Sequence, residues 1–149
     1  MKFSCEKALL QSMIAIASRA VAPKSTIPAL EGVLLEAEQE LNLTGYNLKT
    51  GIRGTISADI SEPGSIVLSA RLFGDIIRRL PDDVVTLSTD DLMVNITCGM
   101  SEFNILGMDP SQFPELPAVE YQNSMILPQR ILHSMITETI FAVSTNDSR

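Results

Sequence analysis

Tryptophan is absent from this 149-residue chain, aromatic residues make up only 5% of it, and histidine occurs once, as His133. A core built from such a sequence is aliphatic. Cysteine is scarce too: Cys5 and Cys98 are the only two. Two cysteines make no disulfide framework, and no neighbouring ligands accompany them, so both read as buried thiols. No apolar run approaches the roughly 20 residues that a membrane span needs. The opening "MKFSCEKALLQSMI" carries charges where a secretory leader has its apolar stretch, so a cytoplasmic chain is the expectation. His133 lacks any spacing to Ser and Asp that would make a triad. Asp82–Asp83 and Asp90–Asp91 are adjacent pairs in turns, a poor arrangement for holding a metal. "GYNLKTG" is not a phosphate loop. No catalytic, cofactor-binding or metal-ligating residue is expected, and the chain reads as a non-enzyme.

Hydrophobic residues are plentiful, at 45% of the chain, and their order carries the information. Met1–Cys5 alternates as a strand, and residues 6–20 show helical spacing. Strands are expected at 31–37, 41–45 and 51–59, with "SEPGS" as a turn. The pattern then restarts: a strand at 66–68, a helix at 70–80 capped by Ser69 and closed by Pro81, and strands at 84–88, 92–98 and 102–107. After the connector "MDPSQFPELP" it restarts again, with a strand at 125–127 and a helix from Pro128 to about Val143. "KFSCEKALLQSMI", "SIVLSARLFGDII" and "SMILPQRILHSMI" align without gaps, so that Leu10, Phe73 and Leu132 correspond. This is an internal repeat of one strand, one helix and three strands, present twice and begun a third time. The expected class is α+β, with two adjacent helices packed on antiparallel sheet. The expected division is a complete domain at 1–118 (units 1–60 and 64–107 plus a connector) and the start of a second at 119–149.

Charge is segregated. The formal net charge is −7, yet the face of the second helix opposite Leu72, Phe73, Ile76, Ile77 and Leu80 carries Arg71, Asp75, Arg78 and Arg79. Asp75 stands four residues before Arg79 and is expected to pair with it. The first helix places Lys7, Gln11, Ala15 and Arg19 four residues apart, the third Arg130, His133 and Thr137, and Lys24 follows in a loop. The acids gather in turns. A basic surface on an acidic body suits a polyanion held without sequence reading.

Several stretches, in this order, carry a resemblance over essentially the whole chain: "MKF", "STIPAL" (25–30), "LNLTGYNL" (41–48), "ARLFGDIIRRLP" (70–81), "SEFNILGMDPSQFPELP" (101–117), "LPQRIL" (127–132) and "FAVSTNDSR". The sequence resembles the N-terminal part of the bacterial sliding clamps, the beta subunits of DNA polymerase III. The resemblance implies the DNA-clamp fold, and a full-length parent of three similar domains that closes, two chains head to tail, into a ring around duplex DNA. It implies a tether for the polymerase alpha subunit, loaded by a clamp loader, with no cofactor. By it, Lys24, Arg71, Arg78 and Asn146 fall on DNA-contacting positions, with Lys7, Arg19 and Arg79 adding charge. Leu72, Ile76, Leu80, Phe103 and Ile105 fall where a second subunit docks. The family's peptide pocket lies in later domains; only Arg149 matches its margin, so this chain is expected to be a fragment without that pocket. The alternative is a non-catalytic interaction domain that pairs through exposed sheet edges.

Overall fold

A computed structural model describes residues 1–117 and 125–144 of the chain. Alternation sets the first element: β1 (Lys2–Glu6) turns Phe3 and Cys5 inward. In α1 (Lys7–Ala17) the buried residues Leu10, Met13, Ile14 and Ala17 keep helical spacing. The expected helix runs to residue 20, but its last turn, Ser18–Ala20, tightens into a 3-10 turn. There follow β2 (Gly32–Ala37), β3 (Leu41–Tyr46), β4 (Gly51–Ile56), β5 (Asp59–Glu62) and β6 (Gly64–Ser69). Helix α2 (Ala70–Arg79) begins where the Ser69 hydroxyl accepts a hydrogen bond from the Leu72 amide. Strands β7 (Val84–Asp90), β8 (Met93–Cys98) and β9 (Ser101–Leu106) complete the second repeat.

The strands form two antiparallel sheets, ordered β5-β1-β7-β8-β9 and β4-β3-β2-β6. Each repeat lends its first strand to the sheet of the other: β1 lies against β7, and β6 lies against β2. Neither repeat therefore holds a complete sheet by itself. One correction concerns residues 51–59, expected as a single strand. The alternation of burial does run unbroken through Ser57 and Ala58, but the chain changes partner there. It leaves β3 after Ile56 and joins β1 from Asp59. Periodicity reports which way side chains point, not which strand lies alongside.

The two helices pack together beside the sheets, and Phe3, Leu10, Ile14, Leu35, Leu43, Phe73, Ile77, Leu87 and Ile96 share one aliphatic core. Burial pushes the Cys5 thiol up to about 11, with Glu6 adding to the effect, and raises Cys98 as well. Thiols held protonated in this way are packing residues. A smaller core covers the outer face of the four-stranded sheet, where Phe113 of the connector meets Ala29, Leu30, Tyr46 and Val67. Met108 pins the start of that connector by a bridge to Val67.

Gly74 lies inside α2. A Cβ built there would rest 3.5 Å from Cγ2 of Ile14, an ordinary van der Waals contact. Gly74→Ala removes the conformational cost of a helical glycine without a clash. It is expected to add about 0.5–1 kcal/mol of stability, read as a rise in Tm of a few degrees.

The chain divides into two compact units, Met1–Leu116 and Pro117 onward. In the second, α3 (Gln129–Thr139) is followed by a 3-10 turn at Ile140–Ala142. The expected strand at 125–127 is a correction: these residues are irregular, and no ladder forms there among the described residues. Leu132, Met135 and Ile136 are exposed, whereas their counterparts Leu10, Met13 and Ile14 in α1 are buried.

Candidate nucleic-acid interface

Helices α1 and α2 stand side by side, and their outward surfaces meet along a groove of about 260 Å³. Gln11, Ala15 and Ser18 line it from α1 and its terminal turn; Arg71, Asp75 and Arg78 line it from α2. Both arginines are exposed. A second groove of about 610 Å³ continues past the end of α1, where Arg71 faces Ser18, Pro23 and Glu31. Lys24 follows Pro23 in that loop and is exposed. Local hydrogen bonds fix the loop: the Ser25 amide donates to Oε1 of Glu31 (3.0 Å), the Ile27 amide to Oγ of Ser25 (3.1 Å), and the Ala22 amide to the Leu30 carbonyl (3.0 Å).

Three expected charges sit differently from the helical-wheel reading. Arg19 belongs to the 3-10 turn and is exposed, and of that turn's residues it is Ser18, on the same face as Gln11 and Ala15, that lines the groove. Lys7 points away from the groove. Its Nζ donates to Oδ1 of Asp82 at 2.7 Å, and its side chain is only 11% exposed. The same bond holds the Asp82 carboxyl below its ordinary value. Asp75 pairs with Arg78, not Arg79: Nη2 of Arg78 donates to Oδ1 at 2.7 Å. Spacing of three and of four both bring side chains together on a helix, and here the shorter wins. The Lys7–Asp82 pair joins residues 75 apart in sequence, and no local signal announces it. The acids Glu38 and Glu40 between β2 and β3, Asp82 and Asp83 between α2 and β7, and Asp90 and Asp91 at the end of β7 and in the turn after it remain exposed. Asn146 and Arg149 lie outside the described residues.

Of the five residues expected at a subunit contact, Ile76, Leu80 and Ile105 are buried in the main core. Leu72 and Phe103 remain 47% and 39% exposed. Phe103 lies on β9, the last strand of its sheet among the described residues, so among those residues the outer edge of that strand carries unpaired backbone groups. Leu106 and Met100 are exposed beside it. Among the described residues, no three or more His, Cys, Asp or Glu come together as metal ligands. No helix there is long and apolar enough to cross a membrane.

The sequence model of the DNA polymerase III beta subunit, N-terminal domain, matches residues 1–117. The chain belongs to this family. The beta sliding clamp of Staphylococcus aureus is 38% identical over 159 aligned positions, which take in all of this chain and 42% of that protein. The beta sliding clamp of Synechocystis sp. is 36% identical, with 41% of its length covered. Among solved structures, the putative DNA polymerase III beta subunit of Eubacterium rectale superposes with a TM-score of 0.92 at 37% identity, covering all of this chain and 41% of that one. The DNA polymerase sliding clamp of Bacillus subtilis gives 0.91 at 32% identity, covering all of this chain and 42% of that one. The chain spans about two fifths of the length of these relatives.

Proposed function

We propose that the α1–α2 surface rests against the backbone of duplex DNA, as part of a sliding clamp that encircles DNA and tethers a replicative polymerase without performing chemistry. The observation that carries this reading is the shared groove: two helices from two repeats stand together and present Arg71 and Arg78 on one surface, with Asp75 the sole carboxylate among the described residues that line it. Arginines on a shallow helical face can meet phosphates, whereas no element here is built to enter a groove and read base edges. Contact with phosphate alone leaves the protein free to move along the duplex. Lys24, Arg19 and Arg79 extend the surface. The exposed Leu72 and Phe103, together with the free edge of β9, suit docking of a second subunit. The polymerase alpha subunit and the clamp loader are partners of the assembled ring in the cytoplasm. The other reading, an interaction domain that pairs by its sheet edges, rests on that same β9 edge and leaves the basic face without a role.

Titrating two short duplexes of unrelated sequence into the isotopically labelled chain, followed by NMR, tests the proposal. The expected result is a set of amide shifts on α1, α2 and the loop at 21–25, the same for both duplexes and fading as salt is raised. Shifts gathered on β9, or differing between the two sequences, would overturn it.

A further inference from the structure

We infer that Asp75 restrains Arg78 and thereby keeps the grip of this face on DNA loose. The inference deepens the proposed DNA contact and rests on it. Asp75 is the sole carboxylate among the described residues that line the α1–α2 groove. It engages Arg78, one of the two arginines there, at 2.7 Å. Both side chains remain largely open to solvent, 42% and 63% exposed, so the pair is weak and a phosphate can compete for the guanidinium. Competition is then opposed twice: Arg78 has to leave Asp75, and the abandoned carboxylate stays beside the incoming phosphate. A clamp surface that must not stick gains from such an internal counter-charge, because it lowers the number of cations committed to the backbone without removing the arginine.

The chain contains its own control. Asp82 also binds a cation at 2.7 Å, but its partner Lys7 is mostly covered and stands outside the groove. Asp75→Asn and Asp82→Asn each remove one negative charge from the protein, and only the first frees a cation on the shared surface. Binding of a fluorescent duplex, measured by anisotropy over a range of salt, reads the difference. Asp75→Asn is expected to bind about three- to tenfold more tightly at low salt, and the slope of log K against log salt steepens by about 0.9, one extra phosphate contact. Asp82→Asn is expected to stay within about twofold of the parent. An equal gain from both substitutions would mean that net charge alone is at work and would overturn the inference. Wild-type binding that Asp75→Asn leaves unchanged overturns it while the DNA contact stands. No binding by either form overturns both. Thermal melts of the two variants confirm that each is folded, since both substitutions are at exposed or half-exposed positions.

Discussion

Gly45→Ala is expected to lower stability by about 3 kcal/mol or more, a large part of what a domain of this size possesses. Gly45 lies within β3 on the face that meets α1. A Cβ built there would fall inside the van der Waals envelope of the Ala17 carbonyl oxygen and 2.9 Å from its carbonyl carbon. These are backbone atoms at the end of α1, so no rotamer change relieves the overlap; the helix end and the strand have to move apart. That movement disturbs the core around Leu43 and Ala17, both fully buried. The expected readout is a fall in Tm of about 12 °C or more, at roughly 4 °C for each kcal/mol. Adding Ala17→Gly should not rescue it, because the obstructing atoms are main chain. Gly54→Ala provides the contrast: the atoms its Cβ would meet are the sulfur and terminal methyl of Met13, a flexible side chain that can turn aside. A mild Gly45→Ala phenotype, equal to that of Gly54→Ala, would show that α1 and β3 do not approach as closely as described.

Reversing the charge of Arg71, Arg78 and Arg79 together to Glu is expected to weaken binding of duplex DNA on the order of 10- to 100-fold at low salt. Up to two phosphate contacts, those of Arg71 and Arg79, are lost, with a matching drop of roughly 1.8 in the salt slope, and repulsion replaces them. All three side chains are exposed, so the core is untouched. The cost to folding is small but has a definite sign. Arg78 and Arg79 occupy the last turn of α2, where the helix dipole favours cations, and Glu at these positions opposes it by about 0.3–1 kcal/mol each at most. Glu at position 78 also faces Asp75 as a like charge. The prediction is therefore a modest drop in Tm with a large loss of binding, measured on the same samples by melting and by anisotropy. Binding that survives the triple substitution would remove the α2 face from the DNA contact.

The architecture was readable in the sequence because the repeat is readable. Apolar residues at 10, 13 and 14 and again at 73, 76 and 77 predicted two like helices, and the structure buries those residues in one core. What periodicity could not supply was partnership. The change of sheet between Ile56 and Asp59 leaves the alternation intact and so left no mark. Lys7 on a helical wheel belongs with Gln11; only the folded chain brings Asp82 to it. α1 tightens into a 3-10 turn at Ser18, and in that turn Ser18 rather than Arg19 lines the groove. Residues 125–127 have strand composition, but a strand exists only where another lies beside it. Spacing put Phe103 and Ile105 on one side of β9, and did not reveal that one is exposed while the other is buried.

The exchange of first strands between the repeats bears on how the chain folds as it leaves the ribosome. β1 precedes the rest of this domain in the chain, yet its neighbours are residues 59–62 and 84–88. Until those residues emerge, the amino-terminal strand has nothing to zip against, and its Phe3 stays wet. Helix α1 and the β2–β3–β4 meander can gather early from nearby residues, while the sheet containing β1 waits for the second repeat. Contacts so far apart along the chain slow folding. Pausing of synthesis between the repeats would hold a nascent chain in which β1 has only β5 to pair with and its β7 side is open, a state in which a chaperone has much to shield.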